Sequence, residues 1–211
     1  MLRFANFKKS FGRSTILEID NLIIDPGVYW VKGINGSGKT TLLKSIAGII
    51  NFDGDIFIDD GVSIKKQPVS YRALVNFAEA EPIFPTFLSG DDMIRLFSQA
   101  KRAQKNQYYP LVEQLKMDEY LADPIGSYSS GMLKKLSLVL AFLGSPRFIL
   151  LDEPLITLDN DSLTTIRYWI AETNVQNQVT FLLSSHQHLE LTNLYVRELI
   201  IESKTLRNAS Q

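Results

Sequence analysis

Gly33-Ile34-Asn35-Gly36-Ser37-Gly38-Lys39-Thr40 sets three glycines, a lysine and a threonine at the spacing G-x-x-x-x-G-K-[ST]. The chemistry of that spacing is anion binding. The glycines let the backbone wrap closely, so successive N–H groups and the N-terminus of a following helix converge on a phosphate. Lys39 then reaches the β- and γ-phosphates of a nucleotide, and the Thr40 hydroxyl is a hard oxygen donor for Mg²⁺. With Thr41 in the first helical turn, the candidate nucleotide-binding set is Gly33, Asn35, Gly36, Ser37, Gly38, Lys39, Thr40 and Thr41.

Two further stretches carry polar groups in chemically useful places. Phe148-Ile149-Leu150-Leu151-Asp152-Glu153 is an apolar run that ends in two acids. The carboxyl ends of parallel strands face a ligand crevice, so Asp152 is placed to hold Mg²⁺ through water. Glu153, one residue on, is placed to act as general base on an attacking water. Gly126–Leu138, GSYSSGMLKKLSL, puts serines and a glycine directly before an apolar-periodic run. A serine there caps a helix, and the positive end of that helix also suits an anion.

Positioning these groups requires a particular set of elements. Leu2–Phe7 and Ile16–Ile24 alternate apolar and polar residues and read as antiparallel strands. Val28–Lys32 is a short strand that runs into the glycine loop, and TTLLKSIAGI after it is a helix closed near Gly48. Asp55–Ile58 and Leu74–Ala78 are further strands. From about Phe84 to Gly144, DDMIRLFSQAKRAQ, YYPLVEQLKM and MLKKLSLVLAFLG carry helical apolar faces with no strand signal between them. Strand character returns at Phe148–Leu151, Val179–Ser184 and Val196–Glu202, with a helix, SLTTIRYWIAET, between the first two. Continuous apolar strands alternating with helices predict a parallel sheet covered on both faces.

Composition removes several classes of function. The chain of 211 residues is 45% hydrophobic and 21% charged, which is enough for one domain with a substantial core. A formal net charge of −1 lacks the basic excess of nucleic-acid binders, so no nucleic-acid partner is expected. The absence of cysteine excludes disulfides and cysteine–metal sites. The longest apolar-leaning run, Leu136–Gly144, is about half of the ~20 residues a membrane-crossing helix needs. The N-terminal MLRFANFKKSFG lacks the apolar core of a secretory signal peptide. Any work at a membrane therefore requires a partner.

The order of phosphate loop, helical block, serine-rich knot, acidic strand and a later Ser185-His186 resembles the ATP-binding cassette (ABC) ATPases over nearly the whole chain. The resemblance implies an α/β fold. Its parts are a P-loop NTPase (RecA-like) parallel-sheet core, an N-terminal antiparallel β subdomain and an inserted α-helical subdomain. Residues 1–211 would form one ABC ATPase domain, with the core at about 1–83 and 146–203 and the helical subdomain at about 84–145. It also implies ATP and Mg²⁺ as ligands and a head-to-tail dimer, of two identical or two related cassettes, around two nucleotides. Each ATP would lie between the phosphate loop of one subunit and the signature motif of the other.

Position by position, Tyr128-Ser129-Ser130-Gly131-Met132 falls where the family usually has L-S-G-G-Q, which makes Ser129, Ser130 and Gly131 nucleotide contacts. Phe11 matches the aromatic that stacks on adenine. Leu158-Asp159 matches the loop that crosses the dimer interface, and His186 matches the γ-phosphate histidine, which joins Glu153 and Lys39 as the catalytic set. Ser130 and Met132 depart from the usual glycine and glutamine. A second departure lies in Asn76-Phe77-Ala78-Glu79-Ala80-Glu81-Pro82, where Ala80 occupies the place of a glutamine that contacts Mg²⁺ and water. A methyl cannot ligate a metal, and in an extended segment the flanking Glu79 and Glu81 both point to the face opposite position 80.

The resemblance implies the ATP-hydrolysing subunit of a transporter whose transmembrane permease is a separate chain, sited peripherally on the cytoplasmic face of the membrane. YSSGM followed by basic residues is similar to small exporter-type cassettes, including those paired with ABC-2-like permeases and the haem exporter of cytochrome c biogenesis. A soluble ABC ATPase working on the ribosome or DNA is the alternative, but the paired cassettes, long coiled coil or basic segments usual there are missing. A guanine-specific enzyme would show N-K-x-D, which the chain lacks.

Overall fold

Three strands open the chain: Leu2–Phe11 (β1), Ser14–Ile24 (β2) and Val28–Lys32 (β3). The structure, a computed structural model, describes residues 1–59, 61–185 and 195–209. β1 and β2 pair antiparallel, with Leu2 opposite Ile24 and Phe11 opposite Ser14. Asp53–Ile58 (β4) pairs with the other edge of β1, and Val62–Ser63 (β5) pairs with β4, making a four-stranded sheet in the order β2-β1-β4-β5.

β3 leaves that sheet for a second, six-stranded one. There it lies between Thr180–Ser184 (β8) and Val196–Glu202 (β9), parallel to both. Phe148–Asp152 (β7) and Val75–Ala78 (β6) continue on the β8 side, also parallel. Thr205–Asn208 (β10) closes the other edge antiparallel to β9. Every residue of β7 and β8 is buried, which explains their unbroken apolar character. Their side chains alternate between two cores. Leu150 and Leu182 join Phe4, Tyr29 and Leu42 on the side of the antiparallel sheet. Ile149, Leu151, Phe181 and Leu183 join Val139, Ile166 and Trp169 on the other side.

The helices are Lys39–Ile46 (α1), Pro68–Ala73 (α2), Gly90–Ala100 (α3), Tyr109–Gln114 (α4), Ser130–Ala141 (α5) and Asn160–Asn177 (α6). α1 ends as the sequence predicts. Gly48 takes φ +70, its N–H bonds the Ser45 carbonyl, and the Ile49 N–H bonds that of Lys44. The block from 84 to 145 holds α3, α4, a single 3₁₀ turn at Ile125–Ser127, and α5. Its helices are shorter than their apolar periodicity predicts, because Arg102 and Lys116 turn left-handed soon after α3 and α4. α6 is longer than predicted. Asp159 caps its start, and it runs until Gln178 turns left-handed.

β5, α2 and β10 carry no strong sequence signal. The β9–β10 hairpin turns on Ser203 and Lys204, both at positive φ, a job usually advertised by Asn-Gly.

Candidate functional site

The glycine loop starts from a rigid base, since Val28–Val31 of β3 are all buried. The chain turns tightly where the Ser37 N–H bonds the Ile34 carbonyl at 3.1 Å. Gly36 and Gly38 adopt φ +76 and +106, conformations that strain any residue with a Cβ. Gly38 is also the N-cap of α1, so no side chain occupies the first-turn N–H groups, and no acidic residue stands in that turn. These donors and the helix dipole therefore face outward as an anion site. Lys39 is buried along its length, and its ammonium donates to the carbonyls of Gly33 (2.8 Å) and Ile34 (3.3 Å).

The parallel sheet brings the acidic strand to this loop. Val31, Ser184 and Asp152 lie side by side in register across β3, β8 and β7. The Asp152 carboxylate is held from both sides. Thr40 Oγ1 donates to Oδ2 at 2.8 Å, and Ser184 Oγ donates to Oδ1 at 2.5 Å. The Glu153 N–H in turn donates to Ser184 Oγ (3.0 Å) and to the Ser184 carbonyl (3.2 Å). Glu153 sits at φ +44, a strained conformation for a residue with a side chain, and such strain concentrates at functional sites.

Together these groups wall a cavity of about 370 Å³, lined by Asn35, Gly36, Gly38, Lys39, Thr40, Thr41, Asp152 and Glu153 with Ile16 of β2. That volume falls within the range of small-ligand sites, roughly 300–1,000 Å³. The wall also fits Mg²⁺: the Thr40 hydroxyl and the Asp152 carboxylate are hard oxygen donors already in contact. Among the described residues no three His, Cys, Asp or Glu side chains cluster to hold a metal. A divalent cation here would take its remaining ligands from phosphate and water, as Mg²⁺ commonly does.

Ile16 and Ser184 were not legible as site residues. Ile16 reaches the loop because β2 packs over it; its Cγ2 would lie 3.0 Å from a Cβ on Gly38. Ser184 owes its role to a register that becomes visible only once the strand order is known.

The other expected residues lie elsewhere. Ser129 is the N-cap of α5, accepting the Met132 N–H at 3.2 Å, and its own N–H faces the Met132 sulfur at 3.5 Å. Met132 thus completes a capping box where a glutamine would ordinarily do so. Tyr128 is buried, donating to the Tyr120 carbonyl at 2.8 Å and meeting the Tyr120 ring edge-on. Ser129 and Ser130 are exposed, and a Cβ on Gly131 would come within 3.0 Å of the Thr157 carbonyl. None of the three lines the cavity of its own chain.

Phe11 is 54% exposed at the end of β1, with the Lys9 ammonium 4.4 Å from its ring centroid, and is also outside the cavity lining. Asp159 caps α6 through the Ser162 N–H (2.8 Å) and hydroxyl (2.9 Å) and pairs with Lys135 at 2.9 Å. The Ser162 N–H first, and Lys135 next, hold its carboxyl well below the usual carboxylate range. His186 lies outside the described residues.

Lys134 of α5 also borders the site, without a sequence motif of its own. It is 1% exposed, and its ammonium donates to the carbonyls of Glu79 (2.9 Å), Ala80 (3.1 Å) and Asp152 (3.0 Å). Burial pulls it down to about 8, against the opposing charges of Asp152, Glu153 and Glu79. The Glu79 carboxylate pairs with Lys44 of α1.

Known proteins share this fold and part of this sequence. The family model described as ABC transporter matches residues 20–156, more than half of the chain. The lantibiotic transport ATP-binding protein SrtF of Streptococcus pyogenes is 28% identical over 92% of this chain and 83% of its own length. The tungstate uptake system ATP-binding protein TupC of Peptoclostridium acidaminophilum is 29% identical over 94% and 93%. A solved ATP-binding subunit of an ABC transporter matches the fold with a TM-score of 0.88 at 23% identity, covering 100% of this chain and 90% of that one. The dimeric post-hydrolysis state of the ATP-binding cassette MJ0796 bound to ADP and Pi matches at 0.80 and 20% identity, over 99% and 97%. The chain belongs to the ABC transporter family, as its ATP-binding and ATP-hydrolysing cassette.

Proposed function

We propose that the cavity between the glycine loop and β7 binds Mg²⁺-ATP and that Glu153 is the general base for its hydrolysis. The observation that carries this reading is the contact from Thr40 Oγ1 to Asp152 Oδ2, which joins the two motifs beside Glu153. Backbone N–H groups at residues 38–40 and the Lys39 ammonium bind the β- and γ-phosphates. Glu153 accepts a proton from the water that attacks the γ-phosphorus, and the products are ADP and phosphate. Thr40 and Asp152 would hold Mg²⁺, which when bound neutralises charge on the phosphate oxygens. Ser184 positions this pair, holding the Asp152 carboxylate with its hydroxyl hydrogen and the Glu153 N–H with its oxygens.

Ser129, Ser130 and Gly131 act on the nucleotide of a second cassette. The exposure of Ser129 and Ser130 at a helix N-terminus, with all three away from their own cavity, supports this role. The dimer closes on two ATP molecules and reopens after hydrolysis, a selection between two states by contacts present in only one. A permease on a separate chain converts that motion into transport, as the names of relatives described as ATP-binding proteins of transport systems support. The cassette would then sit peripherally on the cytoplasmic face. Relatives named for lantibiotic transport and for tungstate uptake match at nearly equal identity, so cargo and direction are properties of the permease. The Tyr128–Met132 variant supports an exporter-like partner.

Glu153→Gln tests the core of this reading. It is expected to keep ATP affinity, to lower the hydrolysis rate by about 10²-fold or more, and to accumulate an ATP-bound dimer in size-exclusion chromatography. Hydrolysis at near wild-type rate would remove Glu153 as the base.

A further inference from the structure

One buried ammonium joins three carbonyl oxygens from two separate segments, the stretch after β6 and the end of β7. Lys134 Nζ has three hydrogens, and Glu79, Ala80 and Asp152 supply one acceptor each at 2.9, 3.1 and 3.0 Å. The Asp152 carbonyl belongs to the peptide plane that leads into Glu153. The N–H of that same plane is held by Ser184 from β8. The plane is therefore pinned at its oxygen by α5 and at its nitrogen by β8. Its orientation, with the left-handed φ of Glu153, sets where the Glu153 carboxylate is aimed.

The same helix begins one turn earlier with Ser129, Ser130 and Gly131. Its far end is also tied to the sheet, because Asn76 of β6 donates to the carbonyls of Ala141 and Leu143, both at 2.8 Å. α5 is thus fastened by polar contacts to β6, to the segment after β6 and to the end of β7. A displacement at its N-terminus has to be passed to the Asp152–Glu153 peptide or break a buried charge-assisted bond. On the other side, Glu79 is paired with Lys44 of α1, the helix that follows the glycine loop.

We propose that Lys134 is a positioning residue that couples the two nucleotide sites of the dimer. Contact of Ser129–Gly131 with the partner's nucleotide is transmitted through Lys134 to the Glu153 that serves the subunit's own nucleotide. This rests on the head-to-tail dimer proposed above. It also gives the Glu79–Ala80 segment a tether to the site that does not depend on a side chain at position 80.

The test uses the full-length chain with two substitutions. Lys134→Met removes the charge and all three donors, and Lys134→Gln keeps two N–H donors. ATP affinity is measured by titration without Mg²⁺, hydrolysis as a function of ATP concentration, and folding by urea denaturation. Lys134→Met is expected to keep ATP affinity within about 2-fold, to lower kcat by roughly 10-fold or more, and to reduce the Hill coefficient from well above 1 to about 1. Lys134→Gln should fall between it and wild type in both kcat and cooperativity. Should Lys134→Met fail to fold, Lys134→Gln decides alone, and a kcat within about 2-fold of wild type with unchanged cooperativity overturns the proposal. The same result for a folded Lys134→Met overturns it, as does a wild-type Hill coefficient of 1. Glu153→Gln run in parallel separates the two levels. If that variant binds ATP but never dimerises, the dimer reading fails and takes the coupling with it; if it dimerises and the Lys134 variants keep kcat and cooperativity, only the coupling fails.

Discussion

The glycine-loop cavity and the Ser129 knot are both built from a helix N-terminus, yet one is assembled within a single chain and the other is left open. At α1 the helix start faces Asp152 and Glu153 because β3, β8 and β7 are neighbours in one parallel sheet. At α5 the helix start is capped by its own serine and faces outward, with nothing of the chain's own cavity against it. The difference shows what a capped helix end can and cannot do alone. Ser129 satisfies one orphan N–H and so stabilises α5, while the remaining donors and the dipole stay available to an anion brought by another molecule. Gly131 is fixed in that arrangement, because a Cβ there would press on the Thr157 carbonyl.

The contrast can be broken most forcefully at Lys39. Lys39→Ala removes the one ammonium on the glycine loop and is expected to weaken ATP binding by about 100-fold or more, read by nucleotide titration. No comparable loss should follow from a change at the open site. Ser129→Arg places a bulky cation at the α5 N-terminus. It is expected to leave ATP binding by the monomer within about 2-fold while lowering hydrolysis by at least roughly 10-fold and abolishing the ATP-dependent dimer. Persistence of dimer and turnover would reduce the knot to a helix cap. The expected order, Lys39 acting on binding and Ser129 on assembly, would show that the two helix ends serve different nucleotides.

A smaller effect is expected at Ala80. The structure puts its carbonyl on Lys134, and its side chain has no donor or acceptor for metal or water. Ala80→Gln adds a metal- and water-binding amide to the segment after β6, so turnover or its Mg²⁺ dependence should change by a few-fold, measured as ATPase rate against Mg²⁺ concentration. An unchanged rate and Mg²⁺ profile would mean that Thr40, Asp152 and Glu153 position metal and water sufficiently without it.

These positions also mark what a sequence can disclose. The glycine loop and the acidic strand are legible because their chemistry demands residue types at close spacing along the chain, and a βαβ arrangement then dictates that they meet. The departure at Ala80 is legible for the same reason. Ser184 and Lys134 are not, because serine at a strand end and lysine inside a helix have ordinary local explanations. Their roles arise from neighbours 32 and 18 positions away, set by strand order and by how α5 lies on β6 and β7. The burial of Lys134 is particularly hard to read, since lysine is almost never fully buried and its three acceptors are backbone carbonyls, which every residue possesses.

The smallest expected effect concerns Asp159, which caps α6 while its charge is paired with Lys135 of α5. Its carboxyl is held below the usual range by the Ser162 N–H and by Lys135, so protonation is harder in the folded chain than in the unfolded one. The unfolded state therefore binds more protons as pH falls, and the stabilisation is present above the unfolded value of about 4 and is lost below it. Asp159→Asn keeps a good N-cap but removes the charge. The Asp159 side chain is 57% exposed, so screening limits the expected loss to under about 1 kcal/mol at neutral pH. In urea titrations the gap between wild type and variant should narrow as pH falls from about 5 toward 3, because the unfolded wild type takes up a proton that the folded Asp159 resists, which removes the advantage the variant already lacks. A gap that stays constant over that range would assign Asp159 the role of a neutral cap. Its pairing with Lys135 would then contribute nothing to holding α6 against α5.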